Sequence, residues 1–587
     1  MAQFDFRRYL PQFEPKLVTV MREGYSLASL RADAIAGLTV AIVALPLAMA
    51  LAIASGTTPA VGLHTAIVAG FLISALGGSR VQIGGPTAAF IPVVFVVIQQ
   101  HGMGGLILCT LMAGLMLIAA GLLRLGTLMR YMPQPVITGF TAGIAVSIFS
   151  SQVKDALGLD MADVPAEFLP RWKAYAAHLG TLEPAALALT VLGLAMILGL
   201  RRWRPSWPGF LIALAVCTVA GTLLALPAET IGSRLGRDAA PRPPRPPAPP
   251  ASRFGDLPAT LPQFEVPRIP FERTFELMPS AFTIAFLAGV ESLLSAVVAD
   301  GMTGRHRSNA ELVAQGVANV GSALIGGLPA TGALARTATN VRAGGRTPVA
   351  GMLHAVFLLL FMLILAPLMR YVPLAALAAV LLVVAWNMAE VQQFRNTLSA
   401  PVGDRIVLLA TFVLTVLFDL TIAIEVGVVL AALVFMVRMS EAVELRAEAG
   451  APPDEEAVGD EGFAQRANLP RGVEVYRIGG PLFFGVADRI GNLLDGLPQK
   501  PRVLILRMRQ VPVIDASGVH ALRALADRCH RQGIALIISG LQPQPNRVIA
   551  GMRLEKAPGE VHFASGFEAA LAKARALLAD HARDAAR

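Results

Sequence analysis

The chain has 587 residues, 55% of them hydrophobic and only 15% charged, a balance that excludes an ordinary water-soluble protein and makes a membrane protein the expectation. Its net charge of +9 comes from arginines set beside hydrophobic runs, where anchoring at the cytoplasmic face explains them without nucleic acid. Cys109, Cys217 and Cys529 stand alone, which excludes a disulfide framework and a Cys/His metal site, and no cofactor is expected.

Residues 1–32 are polar, carry Arg7, Arg8, Lys16, Arg22 and Arg31, and lack a secretory signal, so they read as a cytoplasmic N-terminal segment. No charge lies between Asp33 and Arg80 or from Val81 to Leu123, and each run is too long for one span of ~20 residues and fits two. Charges, prolines and glycines then divide a transmembrane domain, 33–439, into spans near 33–54, 61–78, 85–100, 104–123, 133–153, 184–201 and 207–227. A second set follows near 277–300, 307–326, 330–342, 347–368, 373–390, 404–420 and 422–438. With the N-terminus inside, the cytoplasmic connections hold Arg80, Arg124, Arg130, Arg201, Arg202, Arg204, Arg305, Arg307, Arg342, Arg346 and Arg395, which satisfies the positive-inside rule. Fourteen spans return the chain to the cytoplasm of a bacterial inner membrane. The periplasmic loop 228–276 contains Pro241-Arg-Pro-Pro-Arg-Pro-Pro-Ala-Pro-Pro250, a polyproline II spacer by composition.

The third span of each half opens on an interruption: Val81-Gln-Ile-Gly-Gly-Pro-Thr-Ala-Ala-Phe90 and Gly326-Gly-Leu-Pro-Ala-Thr-Gly332. Paired breaks at matching positions point to a transporter's site, and because seven is odd the halves form an inverted repeat. Pro86 and Pro329 then mark helices that begin inside the membrane, with free N–H groups facing each other as an anion site. Arg336, placed two turns into the second short helix, adds a full charge. The alternative is two kinked helices with Arg336 reaching the cytoplasmic surface. Glu291 lies in the apolar middle of the eighth span, with Ser295 one turn along the same face. It can lose and regain a proton, help to hold Na⁺, or form a static pair with Arg336. Asp419 and Glu425 flank an outward turn, Asp33 and Asp300 suit caps or loop contacts, and His64, His101 and His354 lack metal spacing.

Beyond a linker, 440–469, residues 470–587 read as a cytoplasmic α/β domain. Its strands are Val473-Glu-Val-Tyr-Arg-Ile478, Arg502-Val-Leu-Ile-Leu-Arg-Met508 and Ile534-Ala-Leu-Ile-Ile-Ser539, with helices near 486–496, 517–531 and 567–583.

In Glu291-Ser-Leu-Leu-Ser-Ala-Val-Val-Ala-Asp-Gly301, Gly316 to Asn319, Pro329-Ala-Thr-Gly-Ala-Leu-Ala-Arg-Thr-Ala-Thr-Asn340, Asp33-Ala-Ile-Ala-Gly-Leu-Thr-Val40 and Gly77 to Thr87, the chain resembles the sulfate permease (SulP) family, relatives of animal solute carrier family 26. That resemblance implies an α-helical 7+7 inverted repeat with uracil-permease-like core and gate domains, a homodimer, and elevator-type alternating access. Carried over by motif, it implies an anion site at Leu47 and Leu51 after Pro46, at Pro86, Thr87 and Ala88, and at Ala335, Arg336 and Thr337, with Glu291 and Ser295 for the coupling ion. Relatives often have serine where Ala335 stands and tyrosine where His64 stands. Val513-Ile-Asp-Ala-Ser-Gly518 resembles the signature of a STAS domain, whose regulatory loop would hold Asp515 and Ser517. By that resemblance Ser517 would be phosphorylated or its loop would bind a ligand, and the STAS domain would meet a cytoplasmic partner; alternatively the two residues simply cap a helix.

The expectation is a secondary transporter, not an enzyme, moving sulfate, bicarbonate or a C4-dicarboxylate with H⁺ or Na⁺. No Gly-x-x-x-x-Gly-Lys-[Ser/Thr] loop is present for ATP, so a gradient must drive it. A nucleobase permease on the same fold, a passive anion channel, and an anion-sensing membrane protein that signals through STAS are the alternatives.

Overall fold

The computed structural model describes residues 12–127, 132–161, 164–204, 207–231, 271–418, 420–441, 444–447, 469–483, 494, 500–554 and 561–584. The proline-rich stretch Pro241 to Pro250, Asp419, most of the expected linker and most of the helix expected near 486–496 lie outside them. The chain divides into two compact units, Met1–Val429 and Leu430–Arg587.

Backbone in hydrocarbon must satisfy its own hydrogen bonds, so the apolar runs fold as helices. The first half contains α1 (Lys16–Glu23), α2 (Leu27–Ala54), α3 (Pro59–Leu76), the two-residue strand β1 (Gly84–Gly85), α4 (Ile91–Leu122), α5 (Gln134–Leu157), α6 (Phe168–Ala177), α7 (Pro184–Trp203) and α8 (Gly209–Leu223). The second contains α9 (Thr274–Thr303), α10 (Ser308–Leu324), β2 (Thr331–Gly332), α11 (Leu334–Arg342), α12 (Pro348–Met369), α13 (Leu374–Met388), α14 (Val391–Leu398), α15 (Val402–Leu417) and α16 (Leu420–Glu441). The short helices α1, α6 and α14 are not expected from the apolar pattern; α1 falls in the N-terminal segment, and α6 and α14 fall in connections between apolar runs.

Among the described residues nine helices are long and apolar enough to cross a membrane. One of them, Ala88–Leu122, is broken at Gly102, where φ 67° and ψ −172° take the chain out of helix. It therefore forms two helical pieces where 85–100 and 104–123 are expected. The helix starting at Pro348 has proline in its first turn and Thr347 as its cap, accepting from Val349 N at 3.2 Å. Asp33, fully buried, accepts from Arg346 N at 2.8 Å, from both the N–H and the hydroxyl of Thr347, and from Tyr25 OH at 3.0 Å. It is a loop contact, as its place near a helix end suggests.

Two helix groups result. In one, α12 packs on α2 and α3, while α9 and α10 pack on α4. The latter contact uses the second piece of α4: Gly114 meets Gly316 backbone to backbone, and Cys109 lies on Leu277 O. In the other, α5 packs on α13 and α15, and α7 on α8 and α13. A cleft of about 570 Å3 separates the groups on one side, lined by Ile53, Ile91 and Phe95 of the first and Ser147, Gln152 and Thr415 of the second.

The second unit contains β3 (Glu444–Ala447), β4 (Val473–Gly479), β5 (Val503–Gln510), α17 (Ala516–Arg531), β6 (Ala535–Ser539), α18 (Pro543–Gly551), β7 (Val561–Ala564) and α19 (Phe567–Asp584). The sheet order is β3-β4-β5-β6-β7, antiparallel between β3 and β4 and parallel elsewhere. Successive strand residues face opposite sides, so Leu504 and Leu506 pack toward Leu522 and Leu525 of α17, while Val503 and Ile505 pack toward Ala570, Leu571 and Ala574 of α19. One expectation is corrected: residues 444–447, assigned to the linker, are a strand of this sheet. Its sequence, Glu-Leu-Arg-Ala, is too short and too charged to show alternation.

Candidate functional site

The two interruptions cross. Gly84–Gly85 pairs antiparallel with Thr331–Gly332, with Gly84 opposite Gly332 and Gly85 opposite Thr331, and Ala333 N donates to Ile83 O at 2.8 Å. Extended backbone buried at such a place needs partners from side chains. Asn319 clamps Ala330, accepting from its N–H at 2.9 Å and donating to its carbonyl at 2.8 Å. Leu328 N donates to Thr65 Oγ1 at 2.7 Å, and Ser322 Oγ donates to Leu328 O at 2.6 Å. On the other stretch, Asn340 Nδ2 donates to Val81 O at 2.8 Å.

This geometry corrects the reading of the prolines. Pro86 and Pro329 do not begin helices; both belong to the extended stretches, whose fixed φ suits them equally. The first helical turns start at Ala88 and Leu334, and the proline in the first turn of α4 is Pro92. Arg336 is consequently in the first turn of α11, not two turns along it.

Arg336 is 2% exposed, so it does not reach a membrane surface. Its Nη2 donates to Pro86 O at 2.9 Å, and its Nε and Nη1 have no hydrogen-bond partner among the described residues. Gly85 makes room for it: a β-carbon there would lie 2.5 Å from Nη1. Glu291 is half-buried, and its Oε2 accepts from Thr87 Oγ1 at 2.8 Å. A static Glu291–Arg336 pair is therefore not the arrangement; each group is held by the first interrupted stretch instead.

The remaining expected residues divide. Ala88 and Leu51 are buried in one apolar cluster, and Leu47 packs on it and on Val380 and Val383 of α13. Ala335 and its neighbour Leu334 are exposed, so the first turn of α11 is open on that side. Thr337 and Ser295 do not join this surface. Thr337 Oγ1 accepts from Ile83 N and from Ser295 Oγ, both at 3.1 Å, so the two hydroxyls tie α9 to the crossing from behind.

Sequence reasoning missed Gln82, Ser292, Glu311 and the clamping role of Asn319. Glu311 carried the same signal as Glu291, a carboxylate in an apolar run, but its place in the first turn of α10 suggests hydration. It is fully buried. In the second unit, Asp515 caps α17, accepting from Gly518 N at 2.8 Å, and Ser517 is part-buried in the same turn.

Comparison with known proteins supplies context for this site. The sulfate permease family model matches residues 30–411, and the STAS domain model matches residues 466–568. A putative sulfate transporter of Bacillus subtilis, YvdB, is 42% identical over 545 residues, which cover 92% of this chain and 97% of that protein. The bicarbonate transporter BicA of Synechocystis is 29% identical, with 90% of each chain covered. Among solved structures, the transmembrane domain of a cyanobacterial BicA aligns with a TM-score of 0.59 at 29% identity, covering 68% of this chain and 98% of that one. Murine Slc26a9 in its inward-facing state aligns with a TM-score of 0.82 over 98% of this chain and 96% of that one, and at 17% identity it speaks to the fold alone.

Proposed function

The chain belongs to the sulfate permease family, and from that premise we propose that it is a secondary active transporter of a small anion, coupled to H⁺ or Na⁺. The observation that carries this reading is Arg336: a buried guanidinium with two donor nitrogens that have no partner among the described residues, set where two helices begin in the protein interior. Donors left free in that position are costly unless an anion meets them, and helix N-termini favour the same charge. Sulfate and bicarbonate enter the proposal through the named relatives; a C4-dicarboxylate fits the same chemistry. Glu291, bonded to Thr87 beside the crossing, is the proposed coupling group.

The fourteen-span inverted repeat belongs to this reading too. The antiparallel strand pair supports it, and so does the mirrored packing of α12 on α2 and α3 and of α4 on α9 and α10. In the proposed cycle the first helix group carries the anion past the second, an elevator movement for which the cleft between the groups leaves room. The proposal includes both termini in the cytoplasm of a bacterial inner membrane and a homodimer.

Purified protein in liposomes tests the proposal. Uptake of labelled sulfate, bicarbonate or succinate should follow an imposed pH or Na⁺ gradient and should be lost in Arg336→Ala. Full-rate uptake by that variant with unchanged affinity would refute the role of Arg336. Anion binding without flux would favour a sensor acting through the STAS domain.

A further inference from the structure

A second polar cluster lies behind the crossing, centred on Glu311. Gly78 N donates to its Oε2 at 2.8 Å, Gln315 Nε2 to its Oε1 at 2.8 Å, and Ser292 Oγ to Oε1 at 3.1 Å. All three donors are neutral. They come from the stretch after α3, from α10 and from α9, and a carboxylate accepts from all three because it brings no hydrogen of its own. Ser292 is the neighbour of Glu291. Its hydroxyl in turn accepts from Gln82 Nε2 at 2.9 Å, and the same amide reaches Ser292 O at 3.0 Å. Gln82 precedes the strand pair and lies over Gly332, where a β-carbon would fall 1.5 Å from its Nε2.

One buried carboxylate is thus linked through a single hydroxyl to both halves of the candidate site. Consecutive helix residues point about 100° apart, so holding Ser292 toward Glu311 fixes the direction in which Glu291 leaves α9. Gln82 passes the same constraint to the crossing.

We propose that Glu311 is a positioning residue: through Ser292 and Gln82 it sets the aim of Glu291 at Thr87 and the register of the two crossing stretches, without touching the anion. The proposal rests on the transport reading above. It differs from a general packing role in what it predicts, because a loosened site loses affinity while the moving bodies stay intact.

The test is uptake kinetics of the full chain in liposomes, with sulfate and bicarbonate as the probes. In Glu311→Gln the amide places its own N–H groups among three donors. KM should rise about tenfold, ~1.4 kcal/mol, with kcat within about twofold and wild-type elution and melting. Ser292→Ala should give the same shift, the double variant should be no worse than the poorer single, and Ser292→Thr should restore KM. A wild-type KM in Glu311→Gln, a loss confined to kcat, or independent additive effects of the two substitutions would overturn the assignment. Should Glu311→Gln fail to fold, Ser292→Ala decides, and a wild-type KM there is fatal. Wild-type protein that neither binds nor moves either probe would overturn the transport reading and this proposal together, whereas normal wild-type uptake with unmoved variants would overturn this proposal alone.

Discussion

Gly85→Ala asks whether backbone conformation at the crossing sets the position of Arg336. Gly85 has φ +149°, a region in which side chains are rarely found, and holding alanine there costs about 1–3 kcal/mol. The added β-carbon would also stand 2.5 Å from Arg336 Nη1, where ordinary contact is ~3.5 Å, so the guanidinium must retreat by about 1 Å. Its bond to Pro86 O, now 2.9 Å, does not survive that displacement. A hydrogen bond from a charged donor contributes about 1.5–3 kcal/mol, which corresponds to about a 10- to 100-fold loss of anion affinity if the aim of Arg336 matters. The assay compares anion binding and thermal melting of the full chain for Gly85→Ala and Gly344→Ala. Gly344 has φ +95° with nothing within 4 Å of a β-carbon, so its substitution carries the backbone strain without the contact. Both variants should lose stability, and only Gly85→Ala should lose affinity. Equal affinities would refute the argument that Gly85 positions Arg336.

Thr87→Val removes the 2.8 Å bond to Glu291 and with it about 1.5–3 kcal/mol from one protonation or ion-bound state, so the pH or Na⁺ dependence of uptake should shift by about tenfold or more in cation concentration; an unmoved dependence would exclude this bond from coupling. Asp515→Ala loses the cap on α17 and should destabilise the second unit by about 0.5–2 kcal/mol, seen as a lowered melting transition of the full chain, while an unchanged transition would mean that the cap carries no stability. Burial pushes the Cys529 thiol up to about 12, so it stays protonated at pH 8 and its thiolate appears only as the pH approaches that value. Since Cys109 and Cys217 are buried as well, a thiol reagent at pH 8 should modify the native chain only after denaturant is added, and rapid native labelling of Cys529 would contradict this placement.

The helices were legible because their boundaries are written in single residues: charges at Arg80 and Arg307, glycine at Gly102, proline at Pro184 and Pro348. The two interruptions were legible as a pair for the same reason. Their geometry was not. A proline reports a fixed φ, which an extended stretch and a first helical turn share, so Pro86 and Pro329 could not say where the helices begin; the strand pairing decides that. The partners of the site were less legible still. Thr87 meets Glu291, Ile83 meets Thr337 and Asn340 meets Val81 across separations of 204, 254 and 259 residues, and no local pattern encodes such pairs. The spacing of Ser295 from Glu291 suggests a lining residue and the family motif implies the same of Thr337, yet the two hydroxyls bond to each other. In the second unit the apolar runs of β4, β5 and β6 are visible in the sequence, whereas β3 and β7, four residues each, are too short to stand out.

Arg336 clarifies why the site is made chiefly of backbone. An arginine in a membrane interior costs ~2.5–3.5 kcal/mol even on a permissive scale, and here one carbonyl bond compensates only part of it. A carboxylate locked onto the guanidinium would stabilise it better, but the same contact would neutralise the charge and fill the donors that an anion needs. Glu291 is near the crossing and bonds Thr87 instead, and Nε and Nη1 have no partner among the described residues. Glu311 is a second acidic side chain in the same helix group, yet neutral donors occupy it. The fold therefore keeps two acids in the same helix group as one buried cation without allowing either to close on it. Hydrogen bonds from Thr87, Ser292, Gln315 and Gly78 hold the acids in place, and the carbonyl of Pro86 holds the arginine. On the transport reading proposed above, an anion bound there would meet preset donors and would need little rearrangement of side chains before being carried.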